Sequence, residues 1–443
     1  DGPAGFTAGA WICEGGVLTD GTVVVPNGGN VICKITNTAV SPKLTLVKVV
    51  HNNAGGTSVV ADWTLTASGP TPISGKTGAA AVTAAPVKVG TYTLSESGPA
   101  TGYTASAWVC TGTGTQGAGA DADQVTLAEG QDATCTITNT DQPGSLALVK
   151  HVSNTHGGIA VKTDWTLAAA GPTPLSGAGG VAASVVTAGE YTLSEADGPA
   201  GYSASAWTCT GATASADGKV TVPNGGSVVC EITNSDLPGT LELVKVVSNT
   251  HGGTAVKTDW TLSATKGQTV LDGAGGFAPQ TVAAGTYALA ESTGPNGYTP
   301  SAWTCTGGTL GADGKSVTVA NGAAASCSIT NSDLPGTLEL VKKVSNTHGG
   351  TAVPTDWSLS ATLGTSQVKG DGGFGPTEVN AGAWTLAESG GPDGYTASEW
   401  MCTGGAVSAG VVTVPNGGAV SCAITNSDQA GTLELVKVVS NTH

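Results

Sequence analysis

Two stretches decide the fold: LELVKVV at residues 241–247 and CEITN at residues 230–234. Alternate residues of a strand share a face, so Leu241, Leu243, Lys245 and Val247 line up together. The lysine sits among core side chains, where lysine is rare. The same count groups Cys230, Ile232 and Asn234, and in YTLSE (191–195) it groups Tyr191, Leu193 and Glu195. A lysine, a glutamate and an asparagine all project inward.

Working outward, the motif LVK recurs at Lys48, Lys150, Lys245, Lys342 and Lys437, in steps of 102, 95, 97 and 95 residues. A period of that size is one small sandwich domain. The segments between are short, alternate with period two and end in Gly, Pro, Asn or Asp, the signature of strands. Small and β-branched residues dominate, with 68 glycines and only 11% charged residues in 443. The expected architecture is all-β, a tandem array of small Ig-like or prealbumin-like β-sandwich domains strung head to tail. Complete repeats fall at 43–140, 145–235, 240–332 and 337–427, flanked by the C-terminal part of a repeat at 1–38 and the first strand of a further one at 432–443. The linkers DQPGS, DLPGT and DQAGT are short, without flexible Ser/Gly spacers, which predicts a semi-rigid rod. Because both ends fall inside a repeat, the chain reads as a window of a longer one.

The net charge is −16, and all 16 basic residues are lysines without a basic run, so neither nucleic acid nor an anionic membrane is an expected partner. No apolar stretch approaches the ~20 residues that span a bilayer. The ten cysteines come in pairs, one pair per repeat, which implies an oxidising, extracellular compartment. Asn224-Gly225 in VPNGG predicts a two-residue hairpin joining the last two strands, which would oppose Cys209 and Cys230. The same reasoning pairs Cys13 with Cys33, Cys110 with Cys135, Cys305 with Cys327 and Cys402 with Cys422.

Buried unpaired ions are costly, so the inward trio needs an explanation. One reading is a Lys–Glu ion pair with an asparagine hydrogen-bonded beside it. The sharper one is covalent. Burial favours a neutral amine beside a protonated acid; the amine attacks the Asn side-chain carbonyl, the acid polarises that carbonyl and shuttles protons, and ammonia leaves.

At these residues the chain resembles the Cna protein B-type (SpaA-like, prealbumin-like fold) domains of Gram-positive surface proteins and pilins. The carriers are the strand-one lysine, the last-strand asparagine and a Y-x-L-x-E box that reads YTLSESGPATGY to Tyr103, YTLSEADGPAGY to Tyr202, YALAESTGPNGY to Tyr298 and WTLAESGGPDGY to Tyr395. The resemblance implies isopeptide bonds Lys48–Asn139, Lys150–Asn234, Lys245–Asn331 and Lys342–Asn426, assisted by Glu96, Glu195, Glu291 and Glu388. Asn37 and Lys437 are left without a partner in this chain. Trp384 departs from the first box tyrosine, and the paired cysteines are not general in the family.

Other signals have structural readings. Asp62, Asp164, Asp259 and Asp356, each before a tryptophan, face outward by parity. His156, His251 and His348 occupy the turn after the first strand, and lone histidines make poor metal sites. Trp63, Trp108, Trp165, Trp207, Trp260, Trp303, Trp357 and Trp400 read as core rather than as carbohydrate platforms. GADGK and SADGK read as hairpin turns. No metal, cofactor or enzymatic turnover is implied, the glutamate acting once on its own chain. The expected function is an extracellular stalk or fibre shaft on a Gram-positive cell surface, its partners being neighbouring copies or further repeats, with wall anchor and tip outside this sequence. A ligand-binding adhesin repeat region and a self-assembling filament subunit are the alternatives.

Overall fold

A computed structural model describes residues 2–99 and 101–440. They cluster into two compact units, 1–153 with 160–199 and 203–235, and 154–159 with 200–202 and 236–443. The first holds residues 1–38, the first complete repeat and most of the second; the other holds the third and fourth. Among the described residues there is no α-helix, only strands and short 3-10 turns.

The third repeat serves as the type. Its strands are β1 (Gly239–Ser248), β2 (Thr261–Lys266), β3 (Thr269–Ala274), β4 (Gly276–Val282), β5 (Gly285–Glu291), β6 (Tyr298–Pro300), β7 (Thr304–Thr306), β8 (Thr309–Leu310), β9 (Ser316–Val319) and β10 (Ala324–Asp333). One sheet has the order β4-β1-β10-β6, with β7 also on β10; the other has the order β3-β2-β5-β9-β8. The alternation read from the sequence is the alternation of burial: in β1, Leu241 and Leu243 are buried while Glu242 and Val244 are half-exposed. Leu262, Ala264, Tyr287, Leu289, Val317 and Val319 from the second sheet meet Cys327, Ile329, Leu241 and Leu243 from the first. Each fully buried leucine or valine contributes about 1.5–3 kcal/mol, and each of the other complete repeats builds the same core.

First and last strands run parallel, with Lys245 opposite Ile329 and Val247 opposite Asn331. The same parallel pairing recurs in the other complete repeats. It places the lysine and the asparagine on adjacent inward positions of one sheet.

Three expectations are corrected. VPNGG is not a hairpin: Lys219–Val222 pairs with Gly189–Thr192 in one sheet, and Ser227–Asp236 belongs to the other. The last strand already has a neighbour along each edge, so the preceding strand has no free edge there and extends the opposite sheet. Cys209 faces Cys230 because Thr208–Thr210 pairs directly with the last strand. The linkers are also shorter than read. In DQPGS and DLPGT the aspartate and the glycine are ladder residues, leaving only Gln142-Pro143 or Leu334-Pro335 between strands. Finally, residues 432–440 form no strand, and Leu433, Leu435 and Val438 are at least 85% exposed. In the complete repeats the equivalent segment is held by the last strand of its own domain. His443 and the two residues before it lie outside the described residues. Residues 1–38 form three short two-stranded pairings and leave Ile12 and Val17 exposed.

Candidate cross-linking site

Each complete repeat brings its lysine and glutamate together inside the sandwich. The distances are 2.6 Å for Lys48 Nζ–Glu96 Oε2, 2.8 Å for Lys150 Nζ–Glu195 Oε1, 3.4 Å for Lys245 Nζ–Glu291 Oε1 and 2.6 Å for Lys342 Nζ–Glu388 Oε1. The lysine side chains are fully shielded from solvent and the glutamates nearly so. Glutamate comes from the sheet opposite the lysine, so the pair spans the core. Asn139, Asn234, Asn331 and Asn426 are buried on the last strand. Asn234 Nδ2 donates to Glu195 Oε2 (3.1 Å) and Asn331 Nδ2 to Glu291 Oε2 (3.3 Å). One carboxylate thus touches both nitrogens, one through each oxygen. In these two repeats the amide nitrogen rather than its carbonyl faces the glutamate. The Oδ1 atoms of all four asparagines are buried with no hydrogen-bond partner among the described residues.

The chemistry of the lysines follows from burial. Desolvation pushes the ammonium pKa of Lys48, Lys245 and Lys342 down, and the adjoining glutamate opposes but does not cancel that shift. A tryptophan closes the site from above, its ring centroid 4.5–4.9 Å from the lysine Nζ in Trp63, Trp165, Trp260 and Trp357. The closing tyrosine of the box stacks edge-on against it, at 5.4 Å for Trp63–Tyr103 and Trp260–Tyr298 and 5.3 Å for Trp357–Tyr395.

Other singled-out residues fall into structural roles. Asp62, Asp164, Asp259 and Asp356 are exposed, and each caps a 3-10 turn by accepting the N–H three residues before it at 2.8 Å. Tyr92, Tyr191 and Tyr287 donate to the carbonyl four residues earlier at 2.8 Å, and Trp384 Nε1 makes the same bond to Asn380 O at 2.9 Å. Trp384, which departs from the box tyrosine by residue type, therefore makes the hydrogen bond that the tyrosines make. Disulfides join Cys13–Cys33, Cys110–Cys135, Cys209–Cys230, Cys305–Cys327 and Cys402–Cys422.

Sequence reasoning missed a second buried acid. Asp141, Asp236, Asp333 and Asp428 end the last strands at 2–4% exposure. Asp333 accepts the N–H groups of Thr250 (2.8 Å), His251 (2.7 Å) and Gly253 (2.8 Å), and the other three hold the equivalent turn alike. Burial alone would raise the Asp333 pKa, but the three backbone donors and His251 win and hold it at about 2. The histidines serve this turn: Nδ1 of His156, His251 and His348 lies 3.1 Å from the backbone oxygen of its aspartate. The signal was available, since counting two further from Cys230, Ile232 and Asn234 reaches Asp236.

These features define a tandem array of β-sandwiches with a buried Lys–Glu–Asn constellation per unit. The chain belongs to the prealbumin-like fold domain family, which matches residues 1–35, 40–137, 141–232, 236–329 and 333–424. Five repeated domains of that family thus make up nearly the whole sequence. Among solved structures it is similar to the Bacillus anthracis TIE protein (14% identity, TM-score 0.42, covering 97% of this chain and 72% of that one). It is also similar to two B repeat units of the collagen binding protein Cna of Staphylococcus aureus (12%, TM-score 0.22, 88% and 99%). A third is the pilus adhesin SpaC of Lactobacillus rhamnosus GG (11%, TM-score 0.25, 83% and 57%). No curated protein matches.

Proposed function

We propose that this chain is part of an extracellular load-bearing stalk on a Gram-positive cell surface, each complete repeat being locked by a Lys–Asn isopeptide bond and a disulfide. One observation carries the reading: in four repeats out of four, a shielded lysine and glutamate meet in the core beside a buried asparagine of the last strand, whose carbonyl oxygen has no hydrogen-bond partner among the described residues. The glutamate takes a proton from the lysine ammonium, leaving a neutral amine. Lysine Nζ then forms a bond to asparagine Cγ, the Cγ–Nδ2 bond breaks, and the leaving nitrogen departs as ammonia with protons passed on by the same carboxylate. Each chain does this once per repeat, so no turnover is involved.

The mechanical consequence follows from topology. The two joined residues lie on the first and last strands, which are adjacent and parallel, so tension enters one cross-linked strand and leaves through the other. Load passes around the rest of the sandwich. The disulfides fit an oxidising exterior. Single-molecule pulling on the full chain tests this: a complete repeat extends only by its short tails, whereas full contour-length gain per repeat overturns it. Saturable binding on a glycan or matrix-protein array would favour an adhesin instead.

A further inference from the structure

We propose that the joint between successive repeats is a stereospecific clasp, in which a glycine-dependent socket on one domain accepts the Asn-Gly and Ala-Gly turns of the next. The proposal is independent of the cross-linking chemistry.

In the first unit, Asp141 gathers the N–H groups of Asn53, Ala54 and Gly56 at 2.7–2.8 Å and so shapes the turn after the first strand. The shaped turn aims Ala54 O at the second repeat, where Ala188 N–H donates to it at 2.8 Å. Gly55 has φ +91°, and a Cβ there would fall 2.2 Å from Ala188 O. On the other side of the socket the linker Gln142 N–H donates to Gly102 O (2.8 Å), and Gly225 N–H donates back to Gln142 O (3.0 Å). A Cβ on Gly102 would fall 2.4 Å from Asn224 Cβ.

The second unit repeats the device between the third and fourth repeats. Ala381 N–H donates to His251 O (2.7 Å), Leu334 N–H to Gly297 O (2.8 Å) and Gly417 N–H to Leu334 O (3.2 Å). A Cβ on Gly252 would fall 2.2 Å from Ala381 O, and one on Gly297 2.5 Å from Asn416 Cβ. Residues 1–38 meet the first complete repeat through the linker side of this pattern, Val40 N–H donating to Gly5 O (2.8 Å) and Gly130 N–H to Val40 O (2.7 Å), with Glu129-Gly130 standing where the second and fourth repeats have Asn-Gly.

A two-residue linker would by itself leave a hinge. Hydrogen bonds on both sides of the linker, made through backbones that approach too closely for any side chain, remove it. The socket therefore selects its partner: a following domain of this same repeat type, carrying an Asn-Gly turn at the tip of one sheet and an Ala-Gly turn beside it.

Amide hydrogen exchange on the full-length chain, read by NMR, tests the clasp. Protection of the Ala188 and Gly225 amides falls about tenfold or more in Gly55→Ala, while Tyr191 and Val220 in the core and Ala381 and Gly417 at the untouched joint keep theirs. Gly78→Ala, at φ +84° with nothing within 4 Å, separates backbone strain from the clash and leaves Ala188 protected. Gly102→Ala, whose added Cβ would fall 2.4 Å from Asn224 Cβ, lowers Gly225 protection even if Gly55→Ala disturbs the turn after the first strand. Free exchange of Ala188 and Gly225 in the native chain, or unchanged protection in both Gly55→Ala and Gly102→Ala, overturns the proposal.

Discussion

Replacing Glu291 by alanine tests the cross-linking chemistry at its proton carrier. In the native third repeat the carboxylate lies 3.4 Å from Lys245 Nζ and accepts from Asn331 Nδ2 at 3.3 Å. Without it nothing receives the lysine proton, and the isopeptide bond of that repeat does not form. Two losses follow. The unreacted Lys245 is left as a buried cation without its carboxylate partner, which costs about 3–5 kcal/mol. A covalent closure of roughly 85 residues contributes on the order of 4–5 kcal/mol by loop entropy, a model-dependent figure. Even the smaller loss alone is a large share of the ~5–15 kcal/mol that stabilises a domain. At about 4–8 °C per kcal/mol for a domain of this size, the third repeat melts at least ~12 °C lower. Calorimetry of the full chain shows one transition leaving the group, while intact mass shows one ammonia fewer lost. Glu291→Gln also blocks the bond but keeps hydrogen bonds, so its transition moves less. A variant that still loses as much ammonia as the native chain, or melts unchanged, refutes the reasoning.

Three further outcomes are expected. Cys305→Ala with Cys327→Ala removes a bridge spanning 22 residues and costs the third repeat about 3 kcal/mol by calorimetry. Its Lys245–Asn331 bond still forms, because strand pairing and not the disulfide sets the register. In chemical denaturation Trp384→Tyr is milder than Trp384→Phe by about 1 kcal/mol, since only the tyrosine can satisfy Asn380 O. Asp333 carries a pH dependence: its pKa is held at about 2, below the ordinary 3.8, so its stabilisation is complete above 3.8 and is lost as pH falls through about 2. The amides of Thr250, His251 and Gly253 therefore lose exchange protection on acidification across that window, and Asp333→Asn abolishes the dependence.

The site was legible because parity is a local rule. Lys245 among Leu241 and Leu243, Glu195 behind Leu193, and Asn234 behind Ile232 need only a count of two to be placed inward. Asp236 obeys the same count, yet it opens the DLPGT stretch and reads as linker. Its three donors are backbone groups some 80 residues earlier, which no local pattern displays. VPNGG failed for another reason. Asn-Gly specifies a tight reversal, but which edge the incoming strand finds open is decided by strands distant in sequence. Trp384 looked like an exception because the box was read as residue types; the geometry asks only for a donor reaching the carbonyl four residues back.

Intact-mass spectrometry of the purified chain, reduced and unreduced, with peptide mapping across Lys245 and Asn331, tests the central claim most directly. The account predicts a mass short of the sequence by one ammonia for each complete repeat, with two hydrogens per disulfide returning on reduction and a branched peptide joining Lys245 to Asn331. A reduced mass equal to that of the unmodified sequence contradicts it and leaves each lysine, glutamate and asparagine as a non-covalent cluster.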